Sequence, residues 1–183
     1  MPTVHAKENP ENLPHHVENR LQELGIKLPE APKPVASYVP VRVVGNLAFV
    51  SGQIPVVGGK PVETGIVPTD VSSERAKELA RLCAINALAA VKAGVGSLDR
   101  IRGVIRLGGF VAATPEFTGH PGVINGASDL MLEIFGESGR HARAAVGASS
   151  LPLGVPVEVE FVFEIGDDEA LGNRDEGLGR RGI

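Results

Sequence analysis

The chain has 183 residues, 43% of them hydrophobic and 22% charged, which suits one soluble domain with a sizeable core. Eighteen Lys and Arg against 22 Asp and Glu leave a formal charge of −4, and that balance counts against the basic face a nucleic-acid partner needs. One cysteine excludes an internal disulfide and a cysteine-built zinc site, and no stretch has the pattern of a secretory leader or the length of a membrane span, so a cytoplasmic protein is expected.

In chain order, residues 1–12 are polar. Residues 14–24 pattern as a short helix, with Val17, Leu21 and Leu24 on one stripe and Gly25 closing it. Pro29, Pro32 and Pro34 follow as an extended connector, so 1–34 reads as an N-terminal arm on a domain spanning 35–166. Residues 36–44 and 47–53 read as two strands joined by Gly45-Asn46. Pro40 lacks an N–H, which puts the first at an edge or a bulge. Residues 56–69 are read as a Gly/Pro loop with a turn at Gly58-Gly59.

Asp70 or a following serine then caps a helix running to about Ala93, with Gly94 just beyond it. Its stripe is Ala76, Leu79, Ala80, Cys83, Ala87 and Val91, which makes Cys83 a core residue and not a nucleophile. Residues 101–113 form a strand, with Ile101, Ile105 and Leu107 on one side and Arg102 and Arg106 on the other. Those arginines are a solvated face or a subunit contact. Gly108-Gly109 marks a bulge or a close backbone approach. Residues 121–135 are a second long helix, striped by Val123, Ala127, Leu130 and Ile134 and ended by Gly136. Residues 167–183 are Gly-rich and aperiodic, expected as a mobile and dispensable tail.

The chemistry concentrates in residues 140–165, RHARAAVGASSLPLGVPVEVEFVFEI. Val157, Val159, Phe161, Phe163 and Ile165 alternate with Glu158, Glu160, Val162 and Glu164, giving one greasy and one largely acidic strand face. In the preceding strand Arg143 interrupts a small, apolar run, where a cation is costly unless an anion meets it. Its planar fork suits a carboxylate. From residues alone an ordinary ion pair, at the surface or an interface, is an equal reading. The scattered histidines lack metal-ligand spacing, and no Gly-rich phosphate loop follows a strand, so neither metal nor cofactor is implied.

The segments HARAAVG, SLP and VPVEVE, with NLAFVSGQIP upstream and FTGHPGVINGASDL leading into the second long helix, resemble the YjgF/RidA family of enamine/imine deaminases, in its longer subgroup, which has extra residues before this helix. The resemblance covers roughly residues 34–164. It implies an α+β, chorismate mutase-like two-layer domain: a mixed sheet with two long helices on one face, assembled as a homotrimer with sites at subunit interfaces. It assigns carboxylate binding to Arg143 and water positioning to Glu158, with Tyr38, Ser51 and Asn125 as further pocket groups. Asn86 matches a helix asparagine, with a structural hydrogen-bonding role as its plain reading. Ser37 and Pro40 stand where the family often has Pro and Gln around the tyrosine, and Ala145 replaces a frequent cysteine, so thiol chemistry is absent there. The implied reaction is cofactor-independent hydrolysis of 2-aminoacrylate-type enamines and 2-imino acids to 2-oxo acids and ammonia. A non-catalytic carboxylate-binding protein and an endoribonuclease are the alternatives. One Tyr and six Phe supply no stacking platform for the latter.

Overall fold

The alternating strand is the centre of the molecule. In the computed structural model, which describes residues 17–31 and 37–166, the elements run α1 (Val17–Glu23), β1 (Val41–Val44), β2 (Leu47–Gln53), β3 (Val56–Val57), β4 (Lys60–Pro61), α2 (Ser73–Val95), β5 (Ile101–Ala112), α3 (His120–Phe135), β6 (Ala142–Ala148) and β7 (Val157–Ile165). The five-stranded sheet has the order β1-β2-β7-β5-β6; β3 and β4 pair separately. Only β5 and β6 run parallel, so the sheet is mixed.

Every odd-numbered residue of β7 is buried and every even one half-buried. The buried set, Val157 to Ile165, packs under α2 and α3. Burying an aliphatic or aromatic side chain of this size contributes about 1.5–3 kcal/mol, so β7 alone anchors the layer with roughly 10 kcal/mol before entropy is counted. Phe161 and Phe163 stack at 5.4 Å between centroids.

The helices form where their stripes predict. Ser72 caps α2 by accepting from the Arg75 N–H at 3.1 Å, and all six predicted stripe residues are buried. The helix extends past Gly94 to Val95 and ends at Gly96. Gly94 lies inside because its bare Cα faces the Val41 side chain. In α3 the predicted stripe is buried and Gly136 is the C-cap. Gly126 marks where α3 crosses α2: a methyl group there would strike the Lys77 carbonyl, so the two helices meet backbone to backbone. The Cys83 thiol is fully buried, and burial pushes it well above its usual range, so it is an inert core group. Asn86 is also structural: its Nδ2 donates to the carbonyls of Ile54 and Val56.

Three expectations need correction. The first strand begins only at Val41, because the Val39 carbonyl is taken by the Ser51 hydroxyl and Pro40 has no N–H to offer. It is an edge strand. Residues 56–69 contain the β3–β4 hairpin, with Gly58 and Gly59 both at positive φ; two-residue strands are too short to show a period. Ile105 does not share a side with Leu107. The β5–β7 register jumps from Val104↔Phe163 to Arg106↔Val162, so Ile105 is an extra residue and stands exposed. At Gly108 and Gly109 no bulge occurs; these are the close approaches, toward Glu160 and Ile124.

Helix α1 is fastened to the domain by the buried Val17 and Leu21 and by the Val17 N–H donating to Asp99 at 2.8 Å. The start of the arm, Pro32, Pro34 and the tail lie outside the described residues. No helix among the described residues is long and apolar enough to cross a membrane.

Candidate functional site

β6 is an edge strand, and its parallel register sets Arg143 beside Leu107. Leu107 is fully buried under the helices, so Arg143, Ala145 and Gly147 share the helix-covered face. There the guanidinium lies against α3. Its Nη1 donates to Asn125 Oδ1 at 2.8 Å and to Ser128 Oγ at 3.0 Å. Asn125 and Ser128 sit three residues apart on one helix face, which lets one nitrogen reach both. The two bonds use both protons of Nη1. Nε and Nη2 make no hydrogen bond among the described residues, and no carboxylate there pairs with this arginine. Arg143 is thus held by neutral groups with one edge of its fork unused.

Glu158 belongs to a second cluster. It pairs in register with Phe110 and projects from the sheet face away from the helices. Its carboxyl lies over Gly52, where a Cβ would collide with it. Gly52 and Ser51 form a bulge: the β2–β7 pairing passes from Val50↔Phe161 to Gln53↔Val159, leaving two residues opposite Glu160. The Ser51 hydroxyl donates to the Val39 carbonyl at 2.8 Å and the Ser51 N–H to the Pro40 carbonyl at 2.9 Å, which ties the segment bearing Tyr38 to this bulge. Tyr38 is 53% exposed.

The two glutamates on this face differ. Glu160 accepts from Arg106 Nη1 at 3.0 Å. Glu158 makes no hydrogen bond or ion pair among the described residues. Burial, and after it the Glu160 charge, push its carboxyl above the ordinary carboxylate range. A half-buried carboxylate with unused lone pairs and raised basicity is suited to hold a water and take its proton.

Within one chain the structure brings Arg143 to Asn125, and Glu158 to Ser51 and the Tyr38 segment, but it does not bring Arg143 to Glu158. Their strands are separated by β5, two strand spacings or about 10 Å, and they point from opposite faces. Sequence reasoning missed Ser128 and Gly52. The i, i+3 spacing of Asn125 and Ser128 was the available signal for the first; Gly52 lies within the segment NLAFVSGQIP, between Ser51 and Gln53.

Two clefts lie elsewhere. One, of about 320 Å³, is lined by Thr114, Phe117, His120 and Gly147. It sits four residues along β6 from Arg143, about 13 Å, beyond the reach of a small acid held there. The other, between α2 and α3, is lined by matched charges, Lys77 with Asp129 and Arg81 with Glu133.

The model of a family described as "YjgF/chorismate_mutase-like, putative endoribonuclease" matches residues 18–165. Protein TCP17 of Trypanosoma cruzi is 44% identical over 148 residues, which is 79% of this chain and 91% of that protein. A 2-iminobutanoate/2-iminopropanoate deaminase of Dermatophagoides farinae is 29% identical, over 76% of this chain and 94% of its own. The crystal structure of Atu1372, a protein of unknown function from Agrobacterium tumefaciens, superposes with a TM-score of 0.76 at 52% identity, covering 82% of this chain and 92% of that one. The α+β fold, the mixed sheet and the matched span agree: the chain belongs to the YjgF/chorismate mutase-like family.

Proposed function

We propose that this protein hydrolyses 2-imino acids, formed from 2-aminoacrylate-type enamines, to 2-oxo acids and ammonia. The observation that carries the reading is the state of Arg143: a guanidinium held by Asn125 and Ser128, with an unused edge and no carboxylate to neutralise it among the described residues. The substrate carboxylate takes that edge in a two-bond grip, which fixes the imine carbon. Glu158 holds a water and accepts its proton as the oxygen bonds to that carbon. The protonated Glu158 then returns that proton to nitrogen, the adduct's hydroxyl proton follows it as the C–N bond breaks, and ammonia leaves a C=O group and an ionised Glu158. The kinship to a deaminase acting on 2-iminobutanoate and 2-iminopropanoate supports this substrate class.

Because Arg143 and Glu158 face apart within one chain, the reaction needs Arg143 of one subunit to meet Glu158 of the next. A homotrimer meets that need. The helix-free sheet face supports it: Val44, Phe49, Ile105 and Val146 are each more than 40% exposed there, an apolar surface of the kind a partner covers. Ser51 and Tyr38 then stand beside Glu158 as pocket groups.

The test is release of 2-oxo acid and ammonia from freshly generated 2-imino acids. Acceleration over buffer is expected, and its loss in Arg143→Ala. If the wild type binds a 2-oxo acid tightly but accelerates nothing, it is a carboxylate-binding protein instead. The endoribonuclease reading fits less well, since the chain's formal charge is −4 and the helix-free face sets Glu158, Glu160 and Glu164 against Arg42 and Arg106, which leaves no net basic surface for a phosphate backbone.

A further inference from the structure

Beside Arg143 runs a chain of hydrogen bonds that the proposed reaction does not yet use. His141 Nδ1 lies 2.6 Å from the Gly139 carbonyl. A carbonyl only accepts, so Nδ1 carries the proton, and in the neutral ring Nε2 is an acceptor. Nε2 lies 3.0 Å from Ser128 Oγ, so the Ser128 hydroxyl donates to it. That hydroxyl has one proton. With it committed to His141, the oxygen presents lone pairs to Arg143 Nη1, 3.0 Å away. Each bond therefore fixes the direction of the next, from the Gly139 carbonyl through His141 and Ser128 to the guanidinium. Ser128 is only 8% exposed, so water competes little for its hydroxyl. Without an acceptor at position 141 the hydroxyl is free to turn its proton toward Arg143, where two donors would oppose each other.

We infer that His141 and Ser128 are positioning residues: they lock Arg143 Nη1 so that the Nε–Nη2 edge of the fork meets the substrate carboxylate. The inference rests on the reading of Arg143 as the carboxylate grip. It assigns His141 no proton transfer to substrate. Its effect reaches the reaction only through Ser128.

Calorimetric titration with 2-oxobutanoate tests it, beside steady-state kinetics on the imine. Ser128→Ala should weaken binding about tenfold, the loss of one hydrogen bond to a charged group. His141→Asn keeps a donor near the Gly139 carbonyl but is too short to reach Ser128, and should match Ser128→Ala. His141→Gln reaches Ser128 with an acceptor and should bind within about twofold of the wild type. The double variant Ser128→Ala/His141→Asn should be no worse than Ser128→Ala, because both changes break one chain. KM should rise while kcat stays nearly constant; a general folding defect would instead lower kcat with the active fraction. Nitrogen chemical shifts of the wild-type histidine should report the Nδ1–H tautomer, and the opposite tautomer overturns the inference. If Arg143→Ala loses binding while Ser128→Ala and His141→Asn bind as the wild type does, the positioning role falls and the grip survives. If Arg143→Ala binds normally, both fall.

Discussion

Arg143→Ala should weaken 2-oxo acid binding by at least roughly a hundredfold and lower kcat/KM by as much or more. The reason is the two-bond grip. Each hydrogen bond between a charged donor and acceptor contributes about 1.5–3 kcal/mol, and the Nε–Nη2 edge supplies two. The same substitution leaves Asn125 Oδ1 and Ser128 Oγ without their donor, which loosens the wall of the pocket as well. Arg143→Lys should recover little. A single ammonium cannot hold Asn125 and Ser128 and still present two parallel N–H groups to a carboxylate. Titration calorimetry reads the effect directly, and normal affinity in Arg143→Ala would remove the arginine from the site.

Glu158→Gln should behave differently. The amide keeps the size of the side chain over Gly52 and its ability to hold a water, but it has no basicity. Binding of the 2-oxo acid should survive while kcat falls about a hundredfold, the low end of general acid–base contributions, because part of the role is orientation. The pH profile carries the same signature. The working form is the carboxylate, so activity falls as pH drops through the Glu158 pKa. Burial and the charge of Glu160 place that pKa above the ordinary range, so the loss sets in at a higher pH than an exposed glutamate would give. Glu160→Gln removes the second of those causes and should move the acid limb to lower pH. A limb that stays put in both variants would assign it to another group.

Much of this was legible in the sequence, for physical reasons that differ by element. The period-2 pattern of Val157–Ile165 is strong because both faces are under opposite demands: one packs on α2 and α3, the other carries glutamates. The helix stripes were equally plain, down to Gly136 as a stop. Ile105 was misplaced because a bulge inserts a residue without any side-chain signature; a second register shift between Ile101 and Gly103 returns Ile101 to the buried face of Leu107. Residue order also put Arg143 and Glu158 close in sequence, fifteen positions apart. Topology separates them, since β6 and β7 flank β5 instead of pairing. The partners of Arg143 were half visible: Asn125 came from the family pattern, whereas Ser128 and His141 only acquire meaning once a helix and an edge strand are set side by side. Strand period alone does not separate Glu158 from Glu160; the family resemblance chose Glu158, and in the structure the Arg106 side chain pairs with Glu160.

The account rests on one claim above the others, that a working site takes Arg143 from one chain and Glu158 from another. Co-expressing Arg143→Ala chains with Glu158→Gln chains tests it. Each variant alone should be about a hundredfold impaired. In a ring of three with random mixing, about one interface in four pairs an intact Arg143 with an intact Glu158, so the mixture should recover roughly a quarter of wild-type activity. Light scattering on the same sample should give about three times the 19.1 kDa of one chain. Activity no higher than that of the separate variants, in a preparation that light scattering shows to be mixed trimer, would contradict the claim, as would a particle of one chain's mass with full wild-type activity.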